Sequence, residues 1–126
     1  MMGIMITEKQ STGKRGEQIA AEYLQAQGYT INARNWHCTH GEIDIVAQCE
    51  GVLCFVEVRT RHAQSNEAAF ASITARKRER MVKSAYAYLD AHDQPQQTRW
   101  RIDMIAVALR SDGAPLIEHV EDALGW

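Results

Sequence analysis

Two stretches of the chain set ionisable side chains inside apolar runs: Glu42-Ile43-Asp44-Ile45-Val46-Ala47 and Val52-Leu53-Cys54-Phe55-Val56-Glu57-Val58-Arg59. In an extended strand, residues two apart share a face. Glu42 and Asp44 should therefore point one way and Ile43 and Ile45 the other, while Phe55, Glu57 and Arg59 oppose Val56 and Val58. A bare carboxylate withdrawn from water needs a cation, a set of hydrogen bonds or a proton. If pairing of the two strands brings Asp44 and Glu57 together, their mutual repulsion is relieved by a divalent cation between them. All-oxygen ligands favour Mg²⁺, Mn²⁺ or Ca²⁺ over zinc. Arg59, one side chain further along the same face, would stand beside that ion. Two acids, a cationic side chain and a divalent metal suit phosphate-ester hydrolysis, in which the metal activates water and the fixed cation offsets developing charge. A solvated strand face is the competing reading of either acid taken alone.

Two helical positions complete the constellation. Glu17 lies one turn before the apolar Ala20, Ala21 and Leu24, at the edge of an inward stripe. Lys77 precedes Met81 by four residues and Ala85 by eight, so its stem follows a buried stripe while its ammonium reaches beyond it. An exposed first-turn glutamate and a snorkelling structural lysine are the plainer alternatives. Residues 72–83 hold Arg76, Lys77, Arg78, Arg80 and Lys83 against Glu79 alone, a local balance of +4 and the one basic patch able to follow a phosphate backbone.

Elements that could position these residues follow from periodicity and punctuation. Ser11-Thr12-Gly13 offers caps for a first helix that carries Ile19, Ala20, Tyr23 and Leu24 inward and stops at Gly28. A strand over 29–34, a polar turn over 35–41 and a hairpin of strands 42–47 and 52–59 come next. Residues 60–72 read as a polar loop. Thr74 caps a second helix running to about His92, residues 99–109 form a further strand, and residues 115–120 a short edge strand. The helix between the third and fourth strands is the connection expected of a right-handed crossover between parallel strands. The expected architecture is a mixed α/β sheet flanked by helices.

Composition bounds the answer without choosing it. With 126 residues, 45% of them hydrophobic, the chain has room for one domain, read here as residues 13–126 after a flexible lead of residues 1–12. A net charge of −2 excludes a global polycation, so any nucleic-acid site must be local. Three cysteines without a C-x-x-C pair point to a reducing, cytoplasmic compartment, and no apolar run approaches the length needed to span a bilayer. His37-Cys38-Thr39-His40 gathers possible metal ligands but has no second cluster at finger-like spacing and reads as loop. Trp36, Trp100 and Trp126 could stack on bases, yet aromatic residues beside strands more often fill cores. Asp103, amid apolar neighbours, finds its simplest explanation in a pair with Arg101 on the same strand face. Phosphate-binding Gly-rich loops, serine elbows and dinucleotide fingerprints are all missing from the sequence.

Gly13-Lys14-Arg15-Gly16-Glu17, Ala20-x-x-Tyr23-Leu24, Gly28-Tyr29, Asn35-Trp36, Gly41-Glu42-Ile43-Asp44, Phe55-Val56-Glu57-Val58-Arg59-x-Arg61, Lys77 and Arg101-Ile102-Asp103 stand together in an order that resembles the bacterial YraN-like family. That family is placed in the restriction-endonuclease-like superfamily, whose signature is PD-(D/E)-x-K. The resemblance covers roughly residues 13–120 and implies an α-β-β-β-α-β core. It implies Mg²⁺ or Mn²⁺ held by Asp44, Glu57 and Glu17. Arg59 and Lys77 are then expected at the scissile phosphate, and Arg61 with the basic patch of Arg76, Arg78, Arg80 and Lys83 on the nucleic acid. The implied activity is endonucleolytic hydrolysis of DNA, with branched recombination or repair intermediates as candidate substrates, and by likeness to resolvases the implied state is a homodimer. The signature lysine falls on Arg59, which stays protonated and could orient water or neutralise phosphate but not act as a base. Lys77 could then supply the amine. The alternative is a catalytically degenerate nucleic-acid-binding or assembly module of the same fold, and a structural adaptor is a third option.

Overall fold

A computed structural model describes residues 7–70, 73–95 and 97–124. The elements run α1 Glu8–Ala26, β1 Thr30–Cys38, β2 Gly41–Cys49, β3 Val52–His62, α2 Ala75–Ala91, β4 Arg99–Leu109 and β5 Leu116–Val120. The strands form one sheet in the order β1-β2-β3-β4-β5, with β3 and β4 parallel and every other pair antiparallel. The mixed α/β class expected from the sequence holds, and the arrangement is compatible with a restriction-endonuclease-like core.

Helix α1 starts earlier than Ser11. Thr7 accepts from the Gln10 backbone N–H at 3.1 Å and Gln10 Oε1 accepts from the Thr7 N–H at 3.1 Å, a reciprocal capping box. Residues 8–12, read as part of a flexible lead, are therefore the first turn of the helix, and Gly13 lies inside it. Gly28, with φ of 95°, ends the helix as expected, its N–H reaching the Gln25 carbonyl.

Strand β1 continues through 35–38, where a polar turn was expected, because Trp36 pairs with Ile43 and His37 with Glu42 across to β2. Only Thr39 and His40 make the turn. Cross-strand packing decides this stretch: Trp36 stands edge-on to Tyr88 of α2, with ring centroids 5.2 Å apart. The β2–β3 hairpin turns at Glu50 and Gly51, both with positive φ, the two-residue geometry whose twist matches the strands.

The sheet has a core on each face. Ala20, Ala21 and Leu24 of α1 pack with Ile45, Ala47, Cys54, Val56, Ile105 and Val107. On the other face Ala85 and Tyr88 of α2 pack with Ile43, Val46, Phe55 and Ile102. Cys54 is buried as a small hydrophobe, its thiol pushed up to about 12 by that burial.

Gly16 fixes how closely α1 approaches the sheet, because a Cβ there would overlap the Thr60 side chain of β3. Gly16→Ala should lower stability in urea by about 1–3 kcal/mol, despite alanine being the better helix former. A variant as stable as the parent would mean that α1 and β3 have slack at this crossing.

Candidate functional site

The β2–β3 ladder closes at Ile45↔Val56. One step further, Asp44 and Glu57 would face each other, but β2 stays with β1 (Trp36↔Ile43) and parts from β3. Asp44 takes over the lost rung with its side chain: Oδ2 accepts the Val58 N–H at 2.8 Å. As β2 leaves its partner its alternation fails, so Ile43 and Ile45, expected on one face, pack into the two different cores. Asp44 thus stands in the crotch of a forked sheet.

Three acids converge there. One carboxylate oxygen each from Glu17, Glu42 and Asp44 lie within 4.8 Å of one another, and this is the one such metal-capable group among the described residues. Oxygen ligands at roughly 2.1–2.5 Å from a shared cation can be up to about 4.2–5.0 Å apart, so the spread suits a divalent ion. Burial, followed by the charge of Glu57, pushes the Asp44 carboxyl up to about 8, with Glu17 and Glu42 adding to it against the Val58 N–H. Glu17 is raised in the same direction by burial, while a hydrogen bond from the Asn35 side chain opposes the rise. Asn35 has a φ of 50° within β1, a left-handed conformation that asparagine tolerates, and it sets this contact.

Glu57 lies beside rather than within the triad. Its Oε1 receives the Lys77 Nζ at 2.8 Å, with the two side chains 15% and 31% exposed. Thr74 caps α2 by accepting from the Lys77 N–H at 3.1 Å, which places Lys77 in the first turn of the helix over the fork. The Lys77 ammonium thus stands against Glu57, in the wall of a cavity that Asp44 also lines. Arg59 sends its Nη1 to the Ala69 carbonyl at 3.1 Å, tying down the loop that leads toward α2. Arg61, Arg76, Arg78, Arg80 and Lys83 are exposed. Lys83 is held by Glu79 at 2.9 Å, one helical turn away, and Arg80 lines the cavity under α2.

The fork opens on both faces of the sheet. Under α2 a cavity of about 160 Å³ is lined by Asp44, Glu57, Lys77 and Arg80, with His40 and Ser84 at its wall. Beside α1 a cavity of about 570 Å³ shares Asp44 and Glu57 and adds Glu17, Thr12 and His62. Acids held close together in a solvent-reaching cleft, with an amine alongside, can hold a cation and a phosphate at once.

Other candidates resolve as structure. Cys38 donates to the Ser84 hydroxyl at 3.6 Å, and the 37–40 segment does not assemble a metal cluster among the described residues. Asp103 is fully buried and holds Arg101 Nε at 2.9 Å, as expected, and also His119 Nε2 at 2.8 Å and the Asp122 N–H at 3.0 Å. Trp126 lies outside the described residues. Sequence reasoning underrated Glu42, whose signal was its place two residues before Asp44 in a strand. It did not find Asn35 as a partner of Glu17, because their contact is made only in three dimensions.

Residues 16–107 match the model of the Uncharacterised protein family UPF0102. A UPF0102 protein of Chloroflexus aurantiacus is 51% identical over 121 residues, spanning 96% of this chain and 98% of that protein. A UPF0102 protein of Roseiflexus castenholzii is 47% identical over 114 residues, spanning 89% and 91%, and one of Myxococcus xanthus is 38% identical over 116 residues, spanning 92% and 90%.

Proposed function

The chain belongs to the UPF0102, or YraN-like, family, and from that premise and the geometry of the fork we propose that it is a divalent-metal-dependent nuclease that hydrolyses DNA phosphodiester bonds. The observation that carries this reading is the convergence of Glu17, Glu42 and Asp44 at a break in the β2–β3 ladder, next to the Glu57–Lys77 pair. Asp44, whose carboxyl is raised to about 8 and whose Oδ2 keeps the Val58 N–H, would hold a cation as the carboxylate, together with Glu17 and Glu42. Mg²⁺ or Mn²⁺ bound here supplies Lewis-acid polarisation of the phosphate and a lowered pKa for an attacking water.

The protein's own groups do the rest. Asp44, Glu17 and Glu42, with Glu57 beside them, would supply the oxygen ligands, and the Asn35 side chain orients Glu17 by a hydrogen bond. Lys77 steadies the scissile phosphate, exchanging its Glu57 contact for a phosphoryl oxygen as negative charge grows. Arg59 supports the site from the loop side through Ala69. Arg61, Arg76, Arg78 and Arg80 present exposed guanidinium groups to flanking phosphates, with Lys83 at the far end of the patch. Branched DNA as a substrate and a homodimer as the working form rest on the likeness to resolvases alone.

The test is cleavage of linear, flapped and four-way DNA with Mg²⁺ or Mn²⁺. Chelation should abolish cleavage, Glu57→Ala should lower its rate at least about 100-fold, and Lys77→Met should do the same. Cleavage that survives chelation or Glu57→Ala would overturn the reading. The arginine at the signature lysine position and the Lys77–Glu57 contact favour one second reading, a degenerate DNA-binding module. DNA binding without cleavage, with cleavage restored by Arg59→Lys, would select it.

A further inference from the structure

Lys77, Lys83 and Arg101 each meet a carboxylate. Arg15 of α1 and Arg110, the residue after β4, lie far apart in sequence yet border one hollow, and no ion pair among the described residues engages either. Like charges gathered round a hollow repel one another unless an anion sits between them.

The parallel strands β3 and β4 end in register, His62 beside Leu109. Beyond them the chain parts, toward α2 on one side and toward β5 on the other. The hollow left between, of about 300 Å³, carries Arg15, His62 and Arg110 with Gln64 and Ser111, and no Asp or Glu among the described residues. The cavities around the fork, by contrast, all carry acids. Gln64 Nε2 donates to Ser111 Oγ at 3.0 Å and so joins the two diverging segments. Arg110 Nε donates to the Ala114 carbonyl at 2.9 Å, which steadies the guanidinium and leaves its Nη groups for a ligand. The Thr12 hydroxyl engages His62 Nε2 at 3.0 Å, so Nδ1 is the ring nitrogen left to donate. A crevice outside the carboxyl ends of parallel strands is where open α/β sheets commonly take ligands.

The charge and donor set select the ligand. Two guanidinium forks match phosphate oxygens in geometry, and their charge is balanced by a phosphomonoester, which carries about −1.5 to −2 near neutral pH. A carboxylate or a phosphodiester, with a single negative charge, would leave part of it unanswered. We infer that this hollow is a binding site for a phosphomonoester, gripped by Arg15 and Arg110. It is independent of the nuclease reading, since it needs neither metal nor cleavage. The phosphorylated end of a nucleic-acid strand and free phosphate share this chemistry.

Isothermal titration calorimetry in EDTA at about pH 7.5 tests the site with inorganic phosphate, with acetate at matched ionic strength, and with an oligothymidylate phosphorylated at either end or at neither. Phosphate should bind the parent and acetate should not. Arg15→Gln should weaken phosphate binding about ten-fold without moving the melting temperature, because Arg15 is exposed and holds no ion pair. Arg110→Gln should weaken it as much, and Arg15→Lys less, on the order of three-fold, since the charge stays and the fork goes. A terminal phosphate that strengthens strand binding about ten-fold, a gain lost in Arg15→Gln, would assign the site to strand ends. A terminal phosphate that adds nothing while inorganic phosphate binds would assign it to free phosphate. Phosphate that fails to bind, binds no better than acetate, or binds Arg15→Gln as tightly as the parent would overturn the site.

Discussion

Without divalent cations at pH 8, Asp44→Asn should be more stable than the parent, by about 2–5 kcal/mol. The sign follows from linkage. Asp44 has an ordinary value of 3.8 and is raised to about 8 in the fold, so between those limits the folded protein holds a proton that the unfolded chain has lost. Parent stability therefore falls as pH rises from about 4 to 8, and then levels off. Asparagine keeps an acceptor for the Val58 N–H and carries no charge, so the variant should lack this fall. Mg²⁺ or Mn²⁺ should reverse the ranking, raising the melting temperature of the parent and leaving the variant unmoved, while cleavage is lost. Urea denaturation across pH 5–9, with and without Mn²⁺, is the measurement. A parent stability that is flat with pH, together with an asparagine variant no more stable than the parent, would remove the electrostatic basis of the site.

The largest loss of stability should come from Asp103→Ala, at about 3–5 kcal/mol. Asp103 is fully buried and collects Arg101, His119 and the Asp122 N–H, while Arg101 Nη2 also reaches the Tyr29 hydroxyl at 2.8 Å. His119 comes from β5 and Asp122 from the turn after it, so one carboxylate fastens the last strand to the sheet and to α1, where Tyr23 meets His119 at 3.2 Å. Removing it leaves the Arg101 guanidinium without its buried counter-charge. Those partners hold the Asp103 carboxyl below its ordinary range despite burial. Its contribution is therefore complete above the ordinary carboxylate pKa and lost as pH falls through the lower folded value. Denaturation of Asp103→Ala at neutral pH should show the full loss, with Asp103→Asn intermediate. A change under about 0.5 kcal/mol would mean that β5 is held by its backbone ladder alone.

What the sequence disclosed divides along physical lines. Asp44, Glu57, Glu17 and Lys77 were legible because alternation and helical period place each on a definable face. The β2–β3 hairpin and the Thr74 cap were legible from local turn and capping chemistry, which needs no partner. The start of α1 was missed because Gly13 looks like a boundary, while the Thr7–Gln10 box that sets it lies further upstream. The reach of β1 to Cys38 was missed because polar residues there are held by pairing with β2. The place of Glu42 in the triad, and the divergence of Ile43 from Ile45, come from the fork itself. Nothing in a period-two pattern announces where a ladder stops. His119 is sixteen residues from Asp103 and meets it diagonally across the β4–β5 pair, a contact invisible before the register is known.

The most direct measurement is anomalous diffraction at the manganese edge from crystals equilibrated with Mn²⁺. The predicted result is a peak in the fork within about 2.1–2.3 Å of an Asp44 oxygen and of at least one carboxylate oxygen of Glu17, Glu42 or Glu57. A fork that shows no manganese while the Lys77 ammonium remains on Glu57 would contradict it.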